Sequence, residues 1–195
     1  MAATAHAHSA PLHEDKTQVR RNRMGLWLFM LSEVFLFGGI LIARILLWGD
    51  TRPHLEQGPA LLFTAVLLLS SFFMNRAEIA IAYGDRKTFL NGILLTAILG
   101  SVFLIGVLFV EWPLSHLSAS EHVYGAVFYL MTGMHAFHVL TGIIFLAIIY
   151  RNGKKGVYTP QKHWAVEAAA IYWHFVDVVW IFFYPAIYLI GIAAH

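Results

Sequence analysis

The chain has 195 residues, of which 59% are hydrophobic and only 12% are charged, with a formal net charge of +2. Soluble domains carry about 25% charged residues, so this composition indicates an integral membrane protein. The sequence contains no cysteine, which excludes disulfides, iron–sulfur clusters and thiolate metal sites held by this chain alone. The small net charge gives no reason to expect a nucleic-acid partner.

The first 23 residues are polar and precede any long apolar stretch. They contain His6, His8 and His13, followed by four basic residues. These histidines could bind a metal weakly, but we interpret them as part of a solvated tail. No apolar segment precedes a cleavage site, so we predict no removable signal peptide. Residues 1–23 are therefore predicted to be a cytoplasmic tail, and residues 24–195 a transmembrane domain.

Five apolar stretches are long enough to cross about 30 Å of hydrocarbon as helices. The predicted spans cover about residues 24–47, 59–83, 89–110, 122–150 and 165–193. Thr88 is predicted to cap the third of these helices. The predicted fold is thus all-α, a polytopic membrane protein built as a bundle of five transmembrane helices.

The distribution of basic residues predicts the orientation of the bundle. Lys and Arg concentrate on the cytoplasmic side of membrane proteins. Eleven of the 13 basic residues lie in the N-terminal tail, in the turn between spans two and three, or in the turn between spans four and five. Only Arg44 and Arg52 lie on the other side. We therefore predict that the N-terminus is inside and the C-terminus outside.

The fifth span carries a polar stripe. Glu167, His174, Asp177, Tyr184 and Tyr188 lie in it. On a helix that advances about 100° per residue, these side chains fall within one arc of about 100°. Titratable groups within a membrane are costly and normally face protein or an internal cavity. The stripe is therefore expected to face other helices.

Two further spans contain titratable residues. Glu33 stands in the first span, and His135 and His138 share one face of the fourth span. Counted at about 1.5 Å per residue from the predicted cytoplasmic edge, Glu33 lies level with His174. Burial disfavours the charged form of a carboxyl, so Glu33 needs a partner. We predict that it bonds to His174, His138 or His135, with His174 favoured by depth.

These titratable residues allow three interpretations. The candidate set is Glu33, His135, His138, Glu167, His174 and Asp177. A hydrogen-bond network between helices needs only these side chains, and is the interpretation that we favour. A proton-related or lipid-related role is the second. Metal or haem ligation by the histidines is the third, and no third ligand with an open coordination position converges with them. No catalytic residue and no metal ligand is predicted.

Four segments, in the same order, resemble subunit III of the haem–copper oxidases of the cytochrome c oxidase type. They are SEVFLF at residues 32–37, GDRKTFLNGILLTAILG at 84–100, HVYGAVFYLMTGMHAFHVLTG at 122–142 and EAAAIYWHFVDVVWIFFY at 167–184. The last segment, preceded by the histidine pair, is the most specific. Long members of this family have seven spans, and the present chain resembles the shorter, five-helix bacterial type.

The resemblance implies a non-redox subunit of a proton-pumping terminal oxidase of aerobic respiration, in the bacterial cytoplasmic membrane. Such a subunit packs beside catalytic subunit I, stabilises it and supports proton uptake. Haem and copper would belong to subunits I and II, and this chain would bind only phospholipid. Subunit II, small subunits or a respiratory supercomplex would be further partners.

The resemblance also assigns residues. Glu33 matches the carbodiimide-reactive glutamate of the family, and His135 and His138 match its histidine pair. Glu167, His174 and Asp177 match the polar residues of its signature.

Alternatives stay open at this point. The chain could be subunit III of a quinol oxidase, or a homologue associated with nitric oxide reductase, because the electron-donor site lies on other subunits. From a different class, it could be a small haem b membrane reductase that uses the histidines of spans four and five.

Overall fold

The computed structural model describes residues 16–49, 51–53, 55–120 and 123–193. Its helices are α1 (Lys16–Trp48), α2 (Gln57–Ala82), α3 (Arg86–Gly106), α4 (Trp112–Leu114), α5 (Val123–Lys154) and α6 (Trp164–Tyr188). A π-helical turn, Val107–Glu111, joins α3 to α4 and makes one continuous span. The two-residue strands β1 (Thr51–Arg52) and β2 (Ile192–Ala193) pair in parallel.

The predicted all-α architecture with five spans is confirmed, because five helical segments are long and apolar enough to cross a membrane. The orientation of the termini and the division into tail and membrane domain stay predictions. His6, His8 and His13 lie outside the described residues.

The ends of two helices differ from the predicted spans. Helix α1 begins at Lys16, because the basic segment before the apolar stretch consists largely of good helix formers. Helix α6 ends at Tyr188 rather than near residue 193. Both Leu189 and Ile190 donate their N–H groups to the Pro185 carbonyl, and Gly191 then takes a φ of +110°. This left-handed conformation suits glycine and closes the helix.

Helices α2, α3, α5 and α6 form the centre of the bundle. Helix α2 packs against α3 and α6, and α5 packs against the same two helices from the other side. Helix α1 lies outside this group, mainly against α5 and α6, and exposes most of its apolar side chains. The position of α1 therefore depends on a few specific contacts with α5 and α6.

A tight turn joins α2 to α3. Gly84, with a φ of +82°, donates its N–H to the Ile81 carbonyl, and Asp85 accepts a hydrogen bond of 3.0 Å from the Thr88 N–H. Hydrogen bonding from Thr88 holds the pKa of Asp85 below its usual range. The predicted cap at Thr88 was wrong, because Thr88 lies one turn inside the helix that Asp85 caps.

Trp173 of α6 fills a slot between two glycines on neighbouring helices. Its Cζ2–Cη2 edge lies against Gly100 of α3 and its Cε3–Cζ3 edge against Gly142 of α5, and the residue is 1% exposed. Its Nε1–H donates to the Ser70 hydroxyl of α2 at 2.9 Å. Small residues let membrane helices approach closely. Here two glycines make room for one ring, which joins α2, α3, α5 and α6.

The C-terminal end of α1 is fixed by a buried arginine. Arg44 is 1% exposed, and its guanidinium donates to the carbonyls of Ala186 at 2.6 Å, Ile190 at 2.5 Å and Gly49 at 3.4 Å. It also lies over the Trp48 ring at 4.9 Å. Carbonyls at a helix C-terminus have no partner within the helix, so a cation there is favourable. Arg44 thus satisfies the ends of α1 and α6 together.

Candidate functional site

Glu33 and His138 form a buried contact between α1 and α5. Glu33 Oε2 lies 3.0 Å from His138 Nε2, and the two side chains are 13% and 8% exposed. The prediction that Glu33 bonds to one of three histidines is confirmed, but the preference for His174 was wrong. Counting residues gives the height of a side chain and not its direction, and His174 faces α2.

The hydrogen bonds of His138 determine how many protons this pair holds. Its Nδ1 lies 2.7 Å from the Met134 carbonyl, which can only accept, so Nδ1 carries a hydrogen. The contact between Nε2 and Glu33 then contains a single proton, which sits on the carboxyl or on the imidazole. Both arrangements have zero net charge, and this is the state that costs least within a membrane.

Aromatic side chains surround the pair. The Phe37 ring meets the His138 ring edge-on, with 4.7 Å between centroids. Tyr172 donates its hydroxyl to the His138 carbonyl at 3.1 Å and contacts Thr141 at 2.6 Å. These contacts hold α5 against α1 and α6, so the imidazole has a fixed position.

A second polar contact joins α2 to α6. The Ser71 hydroxyl donates to Asp177 Oδ2 and lies 3.0 Å from His174 Nδ1. A hydroxyl has one hydrogen, so with that hydrogen given to Asp177, the bond to Ser71 is donated by His174 Nδ1. Asp177 is 3% exposed, whereas His174 is partly exposed.

His135 is separate from both contacts. It is fully buried, and within the described part of the chain neither ring nitrogen has a hydrogen-bond partner. Its ring lies over Trp180 with 4.7 Å between centroids and meets the edge of Phe103 at 5.6 Å. Trp180 in turn donates to Thr64 at 2.9 Å. Here His135 packs as a flat aromatic ring.

Glu167 lies at the end of the bundle, with its side chain 26% exposed. It pairs with Arg23 of α1 at 3.1 Å and with His163 at 3.3 Å. The polar stripe predicted on α6 therefore makes separate contacts at three heights and does not form one network.

The sequence analysis missed the importance of Glu111. This carboxyl belongs to the π-helical turn, is 5% exposed and accepts a hydrogen bond of 3.1 Å from the Tyr188 hydroxyl. The predicted third span, residues 89–110, ends just before it. Tyr188, the last residue of the polar stripe, was the signal that a polar partner lies at this height.

The described residues contain no cluster of side chains that could bind a metal ion. Across residues 16–49, 51–53, 55–120 and 123–193, no three His, Asp or Glu side chains are grouped so that they could hold a metal ion. Three carboxyls of the spans instead contact a side chain of another helix: Glu33 contacts His138, Asp177 contacts Ser71 and Glu111 contacts Tyr188.

Sequence comparisons place this arrangement in a family. A family model described as "Cytochrome c oxidase subunit III" matches residues 50–192. The cytochrome c oxidase subunit 3 of Thermostichus vulcanus is 35% identical over 174 residues, which cover 86% of each chain. The chain belongs to the cytochrome c oxidase subunit III family. The resemblance predicted from the four segments is thereby confirmed.

Longer members of the cytochrome c oxidase subunit III family also match. The subunit 3 proteins of Dugong dugon and Equus caballus are 35% and 37% identical over 194 and 183 residues. These alignments cover 92% and 87% of the present chain, but 73% and 69% of the relatives. The part of the present chain that the Dugong dugon alignment leaves uncovered is shorter than the segment before Glu33. Glu33 therefore lies within the aligned region.

Proposed function

We propose that this chain is a non-redox subunit of a proton-pumping haem–copper terminal oxidase in a bacterial cytoplasmic membrane, where it stabilises catalytic subunit I and supports proton uptake. Family membership supports the assignment to an oxidase complex. One observation supports the non-redox role. Polar side chains of the spans bond to each other between helices, as Glu33 does with His138 and Ser71 with Asp177.

The Glu33–His138 pair supports the proton-related part of the proposal. It holds one proton that can move from oxygen to nitrogen without changing the net charge of the site. The pair lies between α1 and the rest of the bundle, so a partner helix against α1 could bring water or a titratable group to it.

A groove beside α1 supports binding of phospholipid. Its volume is about 570 Å³, and it lies between α1, α5 and α6. The lining is apolar and aromatic, including Leu26, Phe29 and Phe145, with Asn152 and Tyr158 as polar residues. We propose that an acyl chain occupies the apolar part and that the polar side chains lie near the headgroup.

Co-purification in mild detergent tests the proposed function. The affinity-tagged chain is expected to bring down haem-containing and copper-containing polypeptides, and the isolated chain is expected to show no haem absorption. A Soret band that stays with the isolated chain would instead support a haem b reductase. The sequence of the co-purified subunit II then distinguishes the electron donors, since a set of copper ligands indicates cytochrome c.

Substitution of Glu33 tests the contact in which Glu33 and His138 share one proton. Glu33→Ala leaves a buried imidazole nitrogen unpaired and is expected to lower the free energy of unfolding by about 1–3 kcal/mol. Haem content and the initial rate of oxygen reduction are expected to stay nearly unchanged, because no redox ligand is lost.

Glu33→Gln is the matched control for this substitution. Its amide N–H can donate to His138 Nε2 as a neutral carboxyl does, so its stability is expected to lie near that of the unsubstituted chain. A protonated-carboxyl infrared band that is lost in both variants would place the shared proton on Glu33. If Glu33→Gln were as destabilising as Glu33→Ala, the contact with a single shared proton would be contradicted.

A further inference from the structure

The outward face of α6 is an apolar stripe that contains one polar side chain. Its residues are Ile171, His174, Val178, Ile181 and Phe182. Val178, Ile181 and Phe182 are 47%, 49% and 60% exposed. Val178 and Phe182 line a groove beside α1, and His174 contacts Ser71 of α2, so the stripe lies on the part of α6 between these two helices. We call it the α6 stripe.

His174 interrupts this stripe with an unsatisfied nitrogen. Its Nδ1 is engaged by Ser71, whereas no side chain or carbonyl of the described residues bonds to Nε2. In the neutral imidazole with a hydrogen on Nδ1, Nε2 is an acceptor that lacks a donor. A polar group without a partner in hydrocarbon costs several kcal/mol, and His174, unlike His135, is partly exposed, so a donor from outside this chain can reach it.

The depth of His174 decides what can supply that donor. His174 lies about 15 Å along the axis from the start of α6 at Trp164 and about 21 Å from its end at Tyr188. The hydrocarbon core of a bilayer is about 30 Å thick, so this height is near its middle. Lipid headgroups lie at the two surfaces and cannot reach it, but a side chain on another transmembrane helix can.

We propose that the α6 stripe binds a transmembrane helix of another oxidase subunit, and that this helix presents a hydrogen-bond donor to His174 Nε2. The inference rests on the proposed function, since it names the surface through which this subunit joins the complex. The apolar residues of the stripe supply the packing surface. His174 fixes the height and rotation of the partner helix, because the donor on that helix has few other acceptors within the hydrocarbon.

Two substitutions of His174 separate its outward contact from its inward contact. In His174→Asn, the amide lies near the position of Nδ1, so it can still contact Ser71 but cannot reach the partner. In His174→Gln, the amide reaches the position of Nε2 and can accept from the partner. The fraction of the chain that stays with the haem-containing subunits during detergent washing measures the effect in the intact complex.

His174→Asn is expected to weaken this association by about three- to tenfold, in line with the modest strength of single hydrogen bonds between membrane helices. His174→Gln is expected to retain most of it. Equal retention of both variants and the unsubstituted chain would overturn the proposal. If the unsubstituted chain itself failed to co-purify with these subunits, the proposed function would fail instead.

Site-specific cross-linking identifies the occupant directly. The chain contains no cysteine, so a cysteine at Ile181 can carry a photoreactive group at one position of this chain. A cysteine at Ile105, which is 56% exposed at a similar height on α3, gives the background level. The expected product is an adduct of residue 181 with another oxidase subunit above that level. Adducts only with lipid, or only with a second copy of this chain, would overturn the proposal.

Discussion

Gly100→Ala is expected to lower the free energy of unfolding by about 2–4 kcal/mol, although alanine is the better helix former. The added methyl group would lie against the Trp173 ring, 2.8 Å from Cζ2. The ring has little room to retreat, because Gly142 lies against its Cε3–Cζ3 edge and Ser70 holds its Nε1. Overpacking typically costs about 1–3 kcal/mol, and a lost hydrogen bond adds about 1 kcal/mol. Denaturant titration of the purified chain in detergent, followed by circular dichroism, measures the change.

Gly133→Ala provides the control for this prediction. The nearest atom to its added methyl group is in the Trp112 ring at 3.8 Å, which is an ordinary contact, so no loss of stability is expected. Trp173→Phe shortens the ring, and the double variant with Gly100→Ala is expected to be more stable than the sum of the single effects predicts. Equal stability of the Gly100 and Gly133 variants would contradict the account of the Trp173 slot.

Arg44→Met is expected to destabilise the chain by about 3–5 kcal/mol, since hydrogen bonds to charged groups contribute about 1.5–3 kcal/mol each and are not fully additive. The substitution leaves the carbonyl of Ala186, near the C-terminal end of α6, and that of Ile190, just beyond it, without their donor. Arg44→Lys keeps the charge but lacks the planar fork that reaches several carbonyls, so an intermediate loss is expected.

Arg23→Met is the matched control, because Arg23 also joins α1 to α6. Its side chain is 56% exposed and pairs with Glu167 at 3.1 Å. Exposed ion pairs contribute about 0–1 kcal/mol, so this variant is expected to lose little. Thermal unfolding of both variants in the same detergent makes the comparison. A loss for Arg23→Met equal to that for Arg44→Met would show that burial of the guanidinium is not the cause.

The number of helices could be predicted from the sequence, because a stretch of about 20 apolar residues has few alternatives to a transmembrane helix. The height of each polar side chain could be predicted as well, and it selected the histidines that could meet Glu33. The choice among them depended on rotation about the helix axes. That rotation is set by packing of side chains such as Trp173 against Gly100 and Gly142, which no count along one helix reveals.

The residues missed in the sequence have a common physical cause. Arg44 and Glu111 lie close to span ends, where charged residues normally reach water or headgroups. In the folded chain, the carbonyls of α6 cover Arg44, and Tyr188 covers Glu111. These partners are more than 70 residues away along the sequence. Burial at a span end thus depends on how a distant helix terminates.

The polar contacts of α1 occur at three heights: Arg23 with Glu167, Glu33 with His138, and Arg44 with the end of α6. The rest of α1 is largely apolar and exposed, and such a surface would slide along its neighbours at little cost. A shift by one residue, about 1.5 Å, would disturb all three contacts at once. Together they therefore fix the position of α1 along its own axis relative to α5 and α6.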